Sequence, residues 1–220
     1  MPRAALFDVD GTLVDSNHLH VVAWWEALRQ SGRAVPMADI HRAIGLGSAD
    51  LLAHLLGDDR DTGQDAAVSA AHKTLYATWF DRLRAFDGAA DLLRTLHGAG
   101  WRTVLATSAG GEELAAMRRA IDADDALTAE ARADEVDAGK PAPDPVEEAL
   151  RRAGASADDA VFVGDSVWDM EAAARAGVRA VAVLSGGIPR AALEAAGADA
   201  VYADVQDVLA DLDKGPFGVG

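Results

Sequence analysis

Two short acidic segments contain residue types whose spacing could support chemistry. Asp8 and Asp10 are two residues apart just after an apolar stretch, and Gly11 lets the backbone turn away at once. Asp165 and Asp169 follow another apolar stretch and are one helical turn apart, so both carboxylates can face one point. Oxygen ligands without histidine or cysteine spacing suit Mg²⁺. Ordinary alternatives are a polar strand exit with a turn glycine for the first segment, and helix capping by Asp165 with a solvated Asp169 for the second.

Two further segments could complete a site. Thr107 and Ser108 end an apolar stretch just before a helix, where a hydroxyl and free backbone N–H groups can bind an anion; a plain helix N-cap is the alternative. Lys140 stands in a proline-stiffened loop that would hold its ammonium in place, although a solvated lysine is equally ordinary. A cation, an anion site, a fixed ammonium and a carboxylate nucleophile together describe phosphoryl transfer through an aspartyl-phosphate.

The elements that must position these residues follow from the apolar patterning. Residues 3–9 predict a short buried strand, and 16–82 predict four helices without a convincing strand, the third capped by Ser48 and the fourth spanning 64–82. After residue 86, strands and helices alternate, which predicts an α/β fold with a parallel sheet covered on both faces. In such sheets ligands bind beyond the carboxyl ends of the strands. The later strands are predicted at 101–107, 160–164, 179–184 and 200–203, with weaker signals near 126–129 and 133–136, and the later helices at 88–98, 111–121, 144–153, 167–176, 189–196 and 205–212.

Composition excludes several functional classes. The 220 residues carry a formal net charge of −16, which argues against nucleic acid as a partner. The chain has no cysteine, so disulfides, cysteine-ligated zinc and thiol catalysis are excluded. No apolar stretch approaches the 18 or so residues of a membrane span, and the N-terminal segment turns acidic too soon for a signal peptide. We therefore expect a cytoplasmic protein without a membrane partner.

The acids, the hydroxyl pair and Lys140, in this order, resemble the haloacid dehalogenase-like (HAD) hydrolase superfamily, from Asp8 to about Tyr202. The resemblance implies a Rossmann-like parallel sheet core formed by residues 1–15 and 83–220, with an inserted all-helical cap domain at 16–82. It also implies a Mg²⁺-dependent phosphomonoester hydrolase of the phosphoglycolate phosphatase and β-phosphoglucomutase-like group. The expected partner is a small phosphorylated metabolite, and the expected assembly is a monomer or a homodimer.

The resemblance also assigns roles at matching positions. Asp8 would be the nucleophile, and Asp10 would protonate the leaving alcohol and then deprotonate the attacking water. Thr107 would hydrogen-bond the transferring phosphoryl group, and Lys140 would neutralise charge on the nucleophile and the phosphoryl oxygens. The implied metal ligands are Asp8, the backbone carbonyl of Asp10, Asp165 and Asp169, the last directly or through water. The implied substrate-binding residues are Ser108, Gly11, Thr12, His20 and Gly45.

Three other functions within the superfamily stay open as alternatives: two other reactions and a non-catalytic role. Haloacid dehalogenases lack an acid at the position of Asp10, so its presence argues against dehalogenation. A β-phosphoglucomutase-like mutase uses a cap arginine for the second phosphate, and 44–50 contains none, which leaves Arg42 as a possible substitute. A non-catalytic scaffold should have lost one of the acids or the lysine, and none is lost here.

The helical segment 16–82 holds five of the six histidines, and their spacing does not suit a metal site. We interpret them as surface residues, with His20 as the exception because its helix begins one turn after the first strand. Trp24 and Trp25 are interpreted as core residues of the cap rather than as substrate-stacking residues.

Overall fold

A parallel sheet forms the centre of the computed structural model, which describes residues 2–57, 60–132 and 138–218. Within these ranges the sheet has six strands, β1 (Ala4–Phe7), β2 (Arg102–Thr107), β3 (Ala129–Arg132), β4 (Ala160–Gly164), β5 (Arg179–Val183) and β6 (Ala200–Tyr202). Their order across the sheet is β3-β2-β1-β4-β5-β6, and every neighbouring pair is parallel. The predicted α/β class is therefore confirmed, and β1 and β4 lie side by side.

The sheet buries both of its faces because β1, β4 and β5 are apolar at almost every position, as buried parallel strands require. In β1, Ala5 and Phe7 pack into the apolar cluster on one face, whereas Ala4 and Leu6 pack into the cluster on the other. This alternation follows the two-residue period of a strand.

Six of the described helices cover the two faces. The helices α5 (Ala89–Gly98), α6 (Gly111–Ile121) and α10 (Val205–Ala210) contribute to the first cluster. The helices α7 (Asp144–Ala153), α8 (Val167–Arg175) and α9 (Arg190–Ala195) contribute to the second. Gly154 ends α7 with a φ of +62°, the left-handed conformation that glycine adopts without a steric penalty.

Four helices form the segment between β1 and α5: α1 (Asn17–Gln30), α2 (Met37–Ala43), α3 (Ser48–Leu56) and α4 (Asp65–Ala77). They bury a small core of their own, which includes Val21, Trp24, Leu28, Ile40 and Leu52. No strand occurs in the described part of 16–82, as predicted. None of the described helices is both long enough and apolar enough to cross a bilayer.

The first strand is shorter than predicted. It ends at Phe7 instead of residue 9, because the chain turns immediately: the N–H groups of Leu13 and Val14 both bond to the carbonyl of Val9. Asp8 and Asp10 therefore lie in the loop after the strand and are not strand neighbours on one face. The weak strand signal near 126–129 corresponds to β3, and the one near 133–136 lies outside the described residues.

Two expectations about helix ends are wrong. The predicted fourth helix at 64–82 is interrupted: α4 ends at Ala77, and Phe80–Arg82 forms a separate 3-10 turn. Ser48 does not cap α3. Gly47 occupies the N-cap position with extended backbone, and Ser48 is the first helical residue.

Candidate active site

Three buried carboxylates meet at the carboxyl ends of β1 and β4. Asp8 follows β1, Asp165 follows β4, and Asp169 lies in the first turn of α8. One carboxylate oxygen from each lies within 4.8 Å of the other two, and the residues are only 5%, 2% and 0% exposed. Neighbouring parallel strands bring Asp8 to Asp165 and Asp169, which lie 157 and 161 positions later in the sequence.

Asp169 is held by the start of its own helix. Ser166 is the N-cap residue of α8; its hydroxyl accepts the Asp169 N–H, while Asp169 Oδ2 accepts the Ser166 N–H at 3.1 Å. The expected alternative of capping by Asp165 with a solvated Asp169 is therefore wrong, because Ser166 performs the capping and Asp169 is fully buried. The cap occupies Oδ2 and leaves Asp169 Oδ1 directed toward a lysine.

That lysine is Lys140, whose side chain is only 3% exposed. Its Nζ lies 2.5 Å from Asp8 Oδ1 and 2.7 Å from Asp169 Oδ1. Burial raises the pKa of Asp8 to about 7, although the ammonium opposes the increase. Burial alone would lower the pKa of Lys140, but the two carboxylates outweigh it and hold that pKa above its usual value.

The carboxylate cluster suits a hard divalent cation. When Asp8, Asp165 and Asp169 are all ionised, one ammonium leaves two negative charges uncompensated in a buried place. Burial, together with the neighbouring Asp169 and Asp8, raises the pKa of Asp165 well above its usual value. Carboxylate oxygens are the preferred ligands of Mg²⁺, and a divalent ion would supply the missing positive charge.

Asp10 lies beside this cluster and has two hydrogen-bond donors on one oxygen. Its Oδ1 lies 2.5 Å from Ser16 Oγ and 3.0 Å from His20 Nε2, and no described donor reaches Oδ2. Burial would raise the pKa of Asp10, but His20 and then Ser16 hold it below its usual value. The free oxygen is therefore the one that can give or take a proton.

His20 belongs to a buried stack of rings that sequence reasoning missed. Its Nδ1 lies 3.1 Å from Nε2 of His72, and its ring stacks on Tyr76 at 3.7 Å. His72 in turn stacks on Trp24 at 4.0 Å, and burial lowers its pKa to about 2, so the ring is neutral. The interpretation of His72 as a surface residue is therefore wrong, since the amphipathic spacing of α4 turns it inward. Trp24 is a core residue as expected, whereas Trp25 is 37% exposed.

A cavity of about 640 Å³ opens in front of Asp8 and Asp10. Its core side is formed by the start of α6, where Ser108 and the glycines at 110–111 line it. Its other side comes from the helical segment, including Gly45, His20, Ser48 and Lys73. Glu113 also lines it, 3.7 Å from His20, and burial raises the pKa of Glu113 to about 7.

The remaining residues predicted for the site occupy its supporting structure. Thr107 is buried and its hydroxyl accepts the Ala109 N–H at 3.0 Å, beside the cavity wall. Gly11 and Thr12 do not line the cavity. Gly11 has a φ of +73°, and the Thr12 hydroxyl donates to Asp165 at 3.1 Å. Asn17 also donates to Asp165, a contact for which the sequence contains no signal.

Comparison with known proteins agrees with this geometry. The family model of haloacid dehalogenase-like hydrolases matches residues 2–177. A phosphoglycolate phosphatase of Rhodospirillum rubrum is 32% identical over 215 residues, covering 93% of this chain and 88% of the relative. A hydrolase of known structure from Pseudomonas syringae is 35% identical, with a TM-score of 0.92 and coverage of 96% of this chain and 98% of that one. The structure of CbbY from Rhodobacter sphaeroides in complex with phosphate is 27% identical, with a TM-score of 0.78 and coverage of 97% and 100%.

Proposed function

Since this chain belongs to the haloacid dehalogenase-like hydrolases, we propose that it is a Mg²⁺-dependent phosphomonoesterase that cleaves small phosphate esters through an aspartyl-phosphate. The observation that carries the proposal is the placement of Asp8. This carboxylate lies in the metal-compatible cluster, contacts the Lys140 ammonium, and faces the cavity two residues from a second acid. No other described acid combines these three features.

The reaction begins with nucleophilic attack by the Asp8 carboxylate on the phosphorus atom of the ester. Lys140 occupies Oδ1 of Asp8, so Oδ2 is the oxygen that forms the new bond to phosphorus. The bond between phosphorus and the ester oxygen breaks, and Asp10 donates its proton to that oxygen, because an alkoxide leaves poorly unless it is protonated. Because His20 and Ser16 hold the pKa of Asp10 below its usual value, Asp10 takes this proton from the phosphate monoanion of the substrate. Its Oδ2 carries the proton, since Oδ1 already accepts from Ser16 and His20.

Hydrolysis of the aspartyl-phosphate restores the enzyme. Asp10, now a carboxylate, removes a proton from water while the water oxygen bonds to phosphorus. The bond between phosphorus and Asp8 breaks, Asp10 passes the proton to the inorganic phosphate, and the phosphate leaves with Asp10 again a carboxylate. Thr107, Ser108 and Lys140 hold the phosphoryl oxygens during both steps, with the start of α6 supplying backbone N–H groups.

A bound Mg²⁺ would neutralise charge on the transferring phosphoryl group. The residues that would hold it are Asp8, Asp165, Asp169 and the backbone carbonyl of Asp10. Asp165 and Asp169 have no other assigned part in the reaction. Their burial beside Lys140 is costly for the isolated protein, and cation binding offsets that cost.

We further propose that residues 16–82 act as a cap domain over a catalytic core of 1–15 and 83–220. The cap contributes His20 and Gly45 to the cavity and would exclude water from the reaction when it closes. Gly11 and Thr12 shape the turn beneath the site. Among the described residues that line the cavity, Lys73 is the only lysine or arginine, so an ester with one phosphate fits better than a bisphosphate.

Release of inorganic phosphate from a panel of esters tests the proposal. The panel contains phosphoglycolate, because relatives carry that activity in their names, together with sugar phosphates and a chromogenic aryl phosphate. We expect release with Mg²⁺ that disappears with EDTA and in Asp8→Asn and Asp10→Asn. Asp91→Asn, an exposed acid on α5, is the matched control and should retain full activity.

Two outcomes would contradict the proposal. Release that persists in Asp8→Asn would exclude the aspartyl-phosphate. Isomerisation of a hexose 1-phosphate in the presence of a bisphosphate primer, without net release, would instead establish the mutase reaction.

A further inference from the structure

Each of the two carboxylate oxygens of Asp165 accepts a hydrogen bond from a neighbouring side chain. Thr12 Oγ1 donates to Oδ1 at 3.1 Å, and Asn17 Nδ2 donates to Oδ2 at 2.8 Å. All three side chains are nearly inaccessible to solvent, since Thr12 is 0%, Asp165 2% and Asn17 4% exposed. The carboxylate therefore has a single orientation before any cation arrives.

Asn17 differs from Thr12 in its place in the fold, because it is the first residue of α1 and so belongs to the helical segment rather than to the sheet. Its Nδ2 also approaches the carbonyl of Gly186 at 3.4 Å. Both groups facing Nδ2 are acceptors, which determines the orientation of the amide.

Gly186 packs directly on Asp165 and connects to a second helix of the same segment. A Cβ at position 186 would lie 1.7 Å from Asp165 Oδ2, so only glycine allows this approach. The Gly186 carbonyl also lies 2.8 Å from His41 Nε2 of α2. Asn17 and Gly186 thus connect helices α1 and α2 to Oδ2 of Asp165, a proposed metal ligand.

We propose that Asn17 is a positioning residue for Asp165, through which the docking of α1 on the sheet contributes to divalent-cation affinity. The inference rests on the proposed function, which assigns Asp165 to the metal. Partners that orient a metal ligand typically contribute about 10–100-fold in metal affinity. Without the Asn17 amide, the Asp165 carboxylate would lose one of its two fixed donors and could rotate away from Asp8 and Asp169.

Binding of Mn²⁺ to the full chain, followed by calorimetry and by the electron paramagnetic resonance of the free ion, tests this directly. Asn17→Leu keeps the branched heavy-atom skeleton and removes the amide, and we expect its Kd for Mn²⁺ to rise about 10–100-fold. Asn17→Ser keeps a shorter donor and should be intermediate, which also covers the case in which the leucine variant does not fold. Thr103→Val, which loses a buried hydrogen bond to the Ala126 carbonyl far from the acids, should stay within about twofold of wild type.

Hydrogen exchange supplies a second readout that a loss of stability alone would not mimic. In the wild type, Mn²⁺ should slow exchange of the backbone amides in the first turn of α1. In Asn17→Leu, Mn²⁺ should leave the exchange rate of these amides unchanged. At saturating metal, it should still slow exchange of the amides that follow β4.

Different results would contradict the positioning role of Asn17 and the proposed metal site. Wild-type Kd and wild-type exchange in both Asn17 variants would overturn the positioning role and leave the proposed function intact. Absence of saturable Mn²⁺ binding by the wild type, or binding that survives Asp165→Asn, would overturn the metal site and this inference with it.

Discussion

Replacing Lys140 with methionine should produce a protein whose stability depends strongly on a divalent cation. The lysine ammonium is the only positive group in the described structure that contacts the carboxylate cluster, at 2.5 Å from Asp8 and 2.7 Å from Asp169. Methionine has a similar length, so the packing is largely kept while the charge is lost. The carboxylates then remain buried without their compensating partner.

The loss in the free energy of unfolding can be estimated from the burial of these ion pairs. The Asp8 and Asp169 side chains that flank the ammonium are at most 7% exposed. Removing one partner of a buried ion pair typically costs about 3–5 kcal/mol. In a chain of this size, each kcal/mol changes Tm by about 2–4 °C, so we expect Tm without metal to fall by about 6–20 °C. The loss should be smaller at pH 6 than at pH 8, because Asp8, whose pKa is already about 7, can then take up a proton.

Differential scanning calorimetry of the wild type and Lys140→Met, each with EDTA and with Mg²⁺, measures this effect. Mg²⁺ should raise the Tm of the variant more than that of the wild type, because the ion supplies charge that the lysine no longer provides. Phosphatase activity should remain at least about 100-fold reduced even with metal, since Lys140 is proposed to stabilise charge in the reaction itself. The exposed Lys214→Met is the matched control and should change neither quantity. A Tm without metal within about 2 °C of the wild type, or an equal response to Mg²⁺, would contradict the role of Lys140 in compensating the buried carboxylates.

Three further perturbations test other parts of the site. Burial raises the pKa of Glu113 from 4.5 to about 7, so the wild type should lose up to roughly 3 kcal/mol of stability as the pH rises through that range. Glu113→Gln cannot lose a proton and should match the wild type at pH 5 but exceed its Tm at pH 8; parallel pH profiles by thermal denaturation would argue against a buried Glu113. His20→Leu removes one of two donors to Asp10 and should lower kcat about 10–100-fold with little change in KM, whereas a raised KM with normal kcat in steady-state assays would mean that His20 acts by contacting substrate. Gly45→Ala places a Cβ 2.7 Å from Ser166 Oγ at a φ of +102°, so we expect a Tm loss of several degrees and a raised KM, and wild-type values for both would show that the loop at Gly45 adjusts freely.

The amino-acid sequence determined the features of this protein that depend on local patterning. Apolar runs interrupted by helical segments predicted the parallel sheet, and β4 and α7 lie within the predicted bounds because their limits are set by nearby residues, such as Gly154. The placement of acids after apolar runs was enough to predict that Asp8 and Asp165 would meet, since the carboxyl ends of parallel strands share one edge of a sheet.

Tertiary structure alone decided the contacts that depend on distant partners. Asn17 reaches Asp165 across 148 residues, and His20 meets His72 across 52, so no spacing along the chain could reveal either pair. The ring partners of the buried His72, which are His20 and Trp24, likewise depend on how α1 docks against α4. Local sequence patterns establish which elements form and which face they bury. The partner of each buried polar group depends on how those elements dock, because satisfying buried donors and acceptors is a property of the whole assembled core.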